Sequence, residues 1–183
     1  MKIFIGDVKK EMGLTGRETL TEIFPPLAFG DEKIPYAQPV RVFLTITNCG
    51  SGLLLEGMVK TALILTCSRC LEPFIHDLEI PLRLEFRNLD RVTRASDFEA
   101  EARDADDMNY YHEEDATIEI QLGVIETILI HHPMKPLCNE NCQGLCPVCG
   151  KNLNQGSCEC RQSVPELRLL ALNKIHFEES STE

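Results

Sequence analysis

The sequence predicts an α+β fold, an antiparallel β meander with packed helices and a C-terminal cysteine-rich segment. Three observations lead there. Between residues 40 and 86 apolar side chains recur at every second position, the period of half-buried strands. Two later stretches, 122–132 and 165–175, carry apolar residues at helical spacing instead. Eight of the nine cysteines fall into four close pairs, and three of those pairs lie within residues 138–160.

The N-terminal 30 residues give the weakest pattern. Residues 1–5 read as a strand, residues 15–23 as a short helix or another strand, and Pro25-Pro26 as a break. Val40, Val42, Leu44 and Ile46 then alternate with Arg41, Phe43, Thr45 and Thr47, which suits a strand with one buried face. Asn48-Cys49-Gly50-Ser51-Gly52 is a turn signal. Beyond it Leu53, Leu55, Gly57, Val59, Thr61, Leu63 and Leu65 share one face, so the two runs form a hairpin. A third strand places Phe74, Leu78, Ile80, Leu82, Leu84 and Phe86 inward and Asp77, Glu79, Arg83, Glu85 and Arg87 outward. Pro81 within it predicts an edge strand or a bulge, because proline donates no ladder hydrogen bond. His76 interrupts the apolar face, but Phe74 and Leu78 beside it cannot chelate, so it reads as a core or rim histidine rather than a ligand.

Ile118 and Ile120 suggest a short strand. Leu122, Val124, Ile125, Ile128 and Leu129 give a helical face that ends near His131-His132, before Pro133. Pro165 suits the first turn of a second helix, whose broad apolar stripe must dock on something. The organisation expected is a β-rich core over 1–90, an acidic flexible loop over 91–117 and a core-packed helix over 118–137. A cysteine-rich segment over 138–162, a helix over 163–176 and a disordered tail over 177–183 follow.

A chain of 183 residues with 43% apolar content makes one domain with an appendage and excludes wholesale disorder and collagen-like architecture. Its apolar runs fall far short of the roughly 20 residues a membrane span needs, and the N-terminus lacks a signal peptide's apolar stretch. The expected location is therefore the cytoplasm, with no membrane partner. In that reducing compartment nine cysteines argue for metal ligation or redox chemistry rather than disulfides.

The formal charge of −11 works against a nucleic-acid binder, which normally shows a basic footprint. The acid is local, however. Residues 97–115 hold nine carboxylates and one cation, Arg103, whereas residues 135–174 hold five cations and three carboxylates. The acidic stretch reads as a solvated linker or, more sharply, as an arm that mimics nucleic acid or engages a basic partner.

Cys67-Ser68-Arg69-Cys70 lies at the turn between the second and third strands and offers two thiolates to one tetrahedral metal. Cys138 and Cys142, Cys146 and Cys149, and Cys158 and Cys160 follow. In Cys146-Pro147-Val148-Cys149-Gly150 the glycine permits the sharp turn that points backbone N–H groups at the sulfurs, a strong signature of zinc. Eight ligands suffice for two four-cysteine zinc sites, with Cys49 left over. Loop-closure cost and the need for four ligands favour Cys146, Cys149, Cys158 and Cys160 as one site and Cys67, Cys70, Cys138 and Cys142 as the other. The competing grouping joins Cys138 and Cys142 to Cys146 and Cys149 and leaves Cys67 and Cys70 free. Arg69, Lys135, Lys151 and Arg161 stand where they offset thiolate charge or, as a contact face, touch phosphate or a partner.

No phosphate loop, GxSxG elbow or HExxH is present, and all-cysteine sets leave a zinc ion no open position. The expectation is a non-enzymatic protein without a small-molecule substrate. The reading from another class is a zinc-dependent redox sensor or holdase-type chaperone using Cys67 and Cys70, whose thiolates Arg69 would favour.

Leu65-Thr66-Cys67-Ser68-Arg69-Cys70-Leu71-Glu72-Pro73-Phe74 is followed by an acidic loop and a helix into Pro133-Met134-Lys135-Pro136-Leu137-Cys138. With the run from Gly144 through Cys146-Pro147-Val148-Cys149-Gly150 to Asn154, this ordered set over about residues 40–160 resembles the YceD-like family of large ribosomal RNA subunit accumulation proteins. The resemblance implies a bacterial or plastid role in accumulating large-subunit ribosomal RNA. It also implies that Cys67 and Cys70 share a metal with Cys138 and Cys142, since some members look to keep only the first CxxC and a His/Cys pair after the helix. The partners it implies are precursor large-subunit ribosomal RNA, a basic ribosomal protein, or both. The family's helix commonly opens with Asp-Leu, where this chain has Gln121-Leu122.

Overall fold

The computed structural model describes residues 1–91 and 109–160. Strands β1 (Lys2–Phe4), β2 (Thr15–Glu22), β3 (Leu27–Phe29), β4 (Glu32–Ile34), β5 (Tyr36–Asn48), β6 (Gly52–Thr66), β7 (Pro73–Asn88), β8 (Asn109–Tyr111) and β9 (Thr117–Glu119) are joined by one α-helix, α1 (Gln121–Ile130). Five strands form the main sheet in the order β2-β5-β6-β7-β8. The alternation seen in the sequence produces it. Val40, Val42, Leu44 and Ile46 of β5, Leu53, Leu55, Val59, Leu63 and Leu65 of β6, and Leu78, Ile80, Leu82 and Phe86 of β7 are all buried on one face. They join one core with Ile3, Leu27, Ile34, Ile118, Val124 and Ile128, contributed by the β1–β9 pair, the β3–β4 hairpin and α1.

The α+β class expected from the sequence is corrected: among the described residues the protein is predominantly β, with a single ten-residue helix. The sheet is mixed rather than a pure antiparallel meander, because β8 runs parallel to the end of β7 at Phe86, Arg87 and Asn88. The class rested on two helices, and the second, at residues 165–175, lies outside the described residues. Residues 15–22 take the extended alternative. Three threonines in that stretch suit a pleated edge, and the strand pairs β5 without interruption from Thr15↔Thr47 to Glu22↔Val40. Strands β3, β4 and β8 have three residues each, too few for a period to register.

Pro81 sits opposite Met58 on a stretch of β7 that has no strand on its other side among the described residues, so its missing N–H leaves no ladder bond unmade. Helix α1 starts after Ile120, which offers no side-chain cap, in keeping with the absent carboxylate. It presents Gly123, Val124 and Ile128 to the core while Leu122 faces solvent.

The end of the acidic stretch is tied to the sheet. Asp90 accepts the Glu113 N–H at 2.6 Å, which holds its carboxyl below the usual carboxylate range, with His112 adding to the effect. Lys9 donates to the carbonyls of Glu113 and Asp115. Residues 92–108 lie outside the description. Among the described residues no helix is long and apolar enough to cross a membrane.

Strand β6 runs through the middle of the sheet, and Gly57 lets β5 close on it: a Cβ there would lie 1.8 Å from the Phe43 carbonyl oxygen. Gly57→Ala is expected to lower stability by about 1–3 kcal/mol or more, read by urea unfolding. An unchanged midpoint would show that β5 and β6 do not approach so closely.

Candidate metal centres

Strands β6 and β7 form a long hairpin ribbon within the sheet, paired in continuous register from Gly52↔Arg87 to Thr66↔Pro73. Its tip, residues 67–72, carries the first CxxC. There the Cys67 N–H donates to the Glu72 carbonyl at 2.9 Å and the Leu71 N–H donates to the Cys67 carbonyl at 2.9 Å. The second CxxC repeats the geometry. The Cys146 N–H donates to the Lys151 carbonyl at 2.8 Å and the Gly150 N–H to the Cys146 carbonyl at 2.9 Å. Both turns need a left-handed residue after the second cysteine: Gly150 has φ 73°, and Leu71 has φ 59°. Glycine takes that conformation freely, whereas a residue with a Cβ gives up about 1–2 kcal/mol.

The sulfurs gather in two sets, Cys67, Cys70, Cys138 and Cys142 in one and Cys146, Cys149, Cys158 and Cys160 in the other, each with all four ligand atoms within 4.8 Å of one another. In the first set the Cys67 and Cys142 sulfurs are 3.8 Å apart and those of Cys70 and Cys138 are 3.7 Å apart. A disulfide would bring them to about 2.05 Å. Four thiolates bound tetrahedrally at about 2.3 Å stand about 3.8 Å from one another, so the donor set fits a tetrahedral metal ion. Cys49 stays apart, in the β5–β6 turn.

Several contacts lock the segment carrying Cys138 and Cys142 onto the ribbon tip. The Ser68 N–H donates to the Pro136 carbonyl at 2.8 Å, and Arg69 Nη1 donates to the carbonyls of Cys142 at 3.0 Å and Glu140 at 3.3 Å. Gly144, with φ 71°, passes close beneath Arg69, whose carbonyl oxygen would stand 3.1 Å from a Cβ. Asn154 joins the two centres: its side-chain amide donates to the Cys142 sulfur at 3.2 Å, and its Oδ1 accepts the Gln143 N–H at 2.8 Å. In the second centre Lys151 Nζ donates to the Ser157 carbonyl at 2.8 Å, spanning the loop between the two cysteine pairs.

These donors set the acidity of the thiols. The backbone N–H of Cys138, with those of Cys70 and Arg69, brings Cys67 down to about 6 against the pull of burial. Cys146 is likewise brought to about 6 by the N–H groups of Cys149 and Val148, the latter 3.4 Å from its sulfur. Asn154 lowers Cys142. Loss of water around the sulfur, then the neighbouring Cys70, Cys67 and Cys142 sulfurs, push Cys138 up to about 12. The Cys149 sulfur and burial push Cys160 up to about 12. The first centre thus sets Cys67 and Cys142, which are lowered, against Cys70 and Cys138, which are raised, and the second sets Cys146 against Cys160, a conflict that a divalent cation at the centroid would remove.

Of the cations named from the sequence, Arg69 and Lys151 spend donors on carbonyls within the two centres, and Lys135 is exposed beside the first. Arg161 lies outside the described residues. His76 rests against Phe74 with ring centroids 6.3 Å apart and belongs to neither sulfur set. Sequence reasoning missed Gly144 and Asn154 as parts of the site. A sulfur-directed asparagine is indistinguishable in sequence from an ordinary turn asparagine.

The family model described as "Large ribosomal RNA subunit accumulation protein YceD" matches residues 55–176. A maize protein named "Large ribosomal RNA subunit accumulation protein YCED homolog 1, chloroplastic" is 30% identical over 144 residues, covering 67% of this chain and 49% of its own length. Its counterpart of the same name in Arabidopsis thaliana is 26% identical over 144 residues, covering 69% of this chain and 45% of its own. An uncharacterized protein of Mycobacterium leprae is 25% identical over 120 residues, covering 66% of this chain and 52% of its own. The chain thus spans about half the length of the curated relatives it matches. No solved structure matches it.

The two centres predict two divalent ions per chain in native mass spectrometry, and Cys142→Ser is expected to lose one of them. In metal-free protein, ultraviolet thiolate absorbance is expected to rise first near pH 6, from Cys67 and Cys146, before the ordinary thiol range near 9. A lowered folded-state pKa means that the ionised form stabilises the metal-free fold. That contribution is full above about 9 and is lost as pH falls through about 6. Loading with metal should abolish the early step, and a single transition near 9 in the metal-free chain would contradict the assignment.

Proposed function

The chain belongs to the YceD family of large ribosomal RNA subunit accumulation proteins, and on that premise we propose that it is a non-enzymatic ribosome biogenesis factor with two structural zinc sites. Its role is to support accumulation or processing of large-subunit ribosomal RNA. The observation that carries this reading is the first sulfur set, which draws together side chains 75 and 68 positions apart in the chain. Cys67, Cys70, Cys138 and Cys142 would hold one zinc ion, and Cys146, Cys149, Cys158 and Cys160 the other. Four thiolates favour a soft tetrahedral ion and leave it no open position for a reacting water. The chemistry such a site supplies is therefore fastening: the C-terminal segment is clamped to the end of the sheet.

The partners in this reading are precursor large-subunit ribosomal RNA, a basic ribosomal protein, or both, met in the cytoplasm where subunits assemble. Lys135, Arg69 and Lys151 are the exposed cations of the proposed contact face, and the latter two also donate to the carbonyls of Cys142 and Ser157. A redox sensor built on Cys67 and Cys70 gains no support, since Cys67 is 0% and Cys70 3% exposed, which shields both from an oxidant.

Complementation tests the reading. In cells lacking their own copy, the wild-type chain should restore the ratio of large-subunit to small-subunit ribosomal RNA. Cys67→Ser combined with Cys70→Ser should leave it several-fold low while native mass spectrometry shows one ion fewer. Full restoration by the double variant would refute a zinc-dependent role.

A further inference from the structure

The solvent face of the main sheet carries a strip that neither the core nor the cysteine centres use. Directly paired residues of neighbouring strands point to the same face, and Val40, Val42, Leu44 and Ile46 fix the inward side of β5. The rows Arg17↔Thr45, Thr19↔Phe43 and Thr21↔Arg41 of β2 and β5 therefore lie together on the outward side. Glu18 and Glu22 of β2 pair with Leu44 and Val40, so they leave from the opposite face. The strip thus holds two arginines, three threonines and a phenylalanine but no carboxylate, in a chain with 29 acidic and 18 basic side chains. Strand β6 does not neutralise it. There Met58 stands beside Phe43, Lys60 beside Arg41 and Glu56 beside Thr45. Lys60 is paired with Glu79 at 2.7 Å, and Glu56 takes Arg83 at 3.8 Å. Arg17 and Arg41 are both exposed, and among the described residues neither forms an ion pair. Phe43, in the middle row, is 39% exposed.

We propose that this strip binds single-stranded RNA, with a base stacked on Phe43 and the adjoining phosphates on Arg17 and Arg41. The inference rests on the biogenesis reading above and deepens it, giving RNA a contact surface on the sheet, apart from the cysteine-rich segment. The spacing suits that occupant. Arg41 is two residues from Phe43 along β5, about 7 Å away. Arg17 is the diagonal neighbour of Phe43 across the β2–β5 pair, at about 7–8 Å. A ring between two long cationic side chains matches a base with a phosphate on either side of it, and exposed rings beside free cations are what grip single strands. The hydroxyls of Thr19, Thr21 and Thr45 supply hydrogen bonds for phosphate and sugar oxygens, the ribose 2′-hydroxyl included. A duplex keeps its base faces in its own stack and would leave Phe43 unused. A carboxylate-rich peptide would pair with the arginines but offers no base for the ring.

The test uses the full metal-loaded chain with three labelled probes followed by fluorescence anisotropy: an unstructured RNA oligonucleotide, its duplex with the complementary strand, and polyglutamate. The chain has no tryptophan, so Phe43→Trp adds a single indole. In unlabelled titrations the single strand should quench that indole by stacking on it, and the other two probes should not. Phe43→Leu should weaken binding of the single strand about fivefold or more. Arg17→Gln combined with Arg41→Gln should weaken it too, and should lower the slope of log K against log salt by about 0.7 for each arginine removed. This exposed pair should melt with the wild type, which keeps the test independent of what Phe43 contributes to folding. Lys33→Gln, on the β3–β4 hairpin whose Leu27 and Ile34 join the core, removes a cation elsewhere and should change neither affinity nor slope. Unchanged binding in both Phe43→Leu and the arginine pair, or an indole that the single strand leaves unquenched, would overturn the surface. Tighter binding of the duplex or of polyglutamate would overturn the choice of occupant. Failure of the wild type to bind the single strand would overturn this inference, while the biogenesis reading would stand or fall separately on the complementation assay.

Discussion

The meeting of four sulfurs at the tip of the β6–β7 ribbon is the constraint on which the rest of the cysteine-rich region depends. The hydrophobic cluster around Cys67, Cys70 and Cys142 is small and touches the large one through Phe74, which packs against both. The segment after α1 has no strand pairing with the main sheet among the described residues. What fixes it is the sulfur set, with the Ser68, Arg69 and Asn154 hydrogen bonds around it. The second set then inherits its position, because Asn154 and Gly144 hold it against the first.

The cation of the first turn serves the fold as well as the surface. Arg69 projects from a CxxC and by type could neutralise thiolates or reach a phosphate. In the fold its Nη1 donates to the carbonyls of Glu140 and Cys142, on the segment that brings two sulfurs to the cluster. Lys151 does the corresponding work in the second centre. A cation near a thiolate cluster thus serves first as a fastener, and surface charge is a separate question for each residue.

The long strands were legible in the sequence because their apolar period is strict and their turn signals are unambiguous: β5, β6 and β7 follow the alternation of Val40 to Ile46, Leu53 to Leu65 and Phe74 to Phe86. Residues 15–22 were not, because Thr-Gly-Arg-Glu-Thr-Leu-Thr-Glu buries almost nothing and its conformation is chosen by β5 alongside it. The class failed for a related reason. Helical periodicity gave α1 its place, but class depends on how much of the chain is extended, and β3, β4 and β8 are formed by tertiary pairing in pieces of three residues. In the candidate site the ligand types and their close pairs could be read directly. Loop-closure cost favoured one grouping of the pairs but left the other open, because whether Cys138 and Cys142 reach the tip depends on the length and direction of β6 and β7.

The two sulfur sets differ in how much chain each must organise. All four sulfurs of the second come from one short stretch, residues 146–160, so closing it orders few residues. The first cannot exist until β6 and β7 have paired and the chain has returned to their tip, some 70 residues later. Closing the second set therefore asks nothing of the rest of the fold, whereas closing the first requires the β6–β7 pairing to be in place. A closed first set is in that sense a record that β6 and β7 have paired and that the chain has come back to meet them.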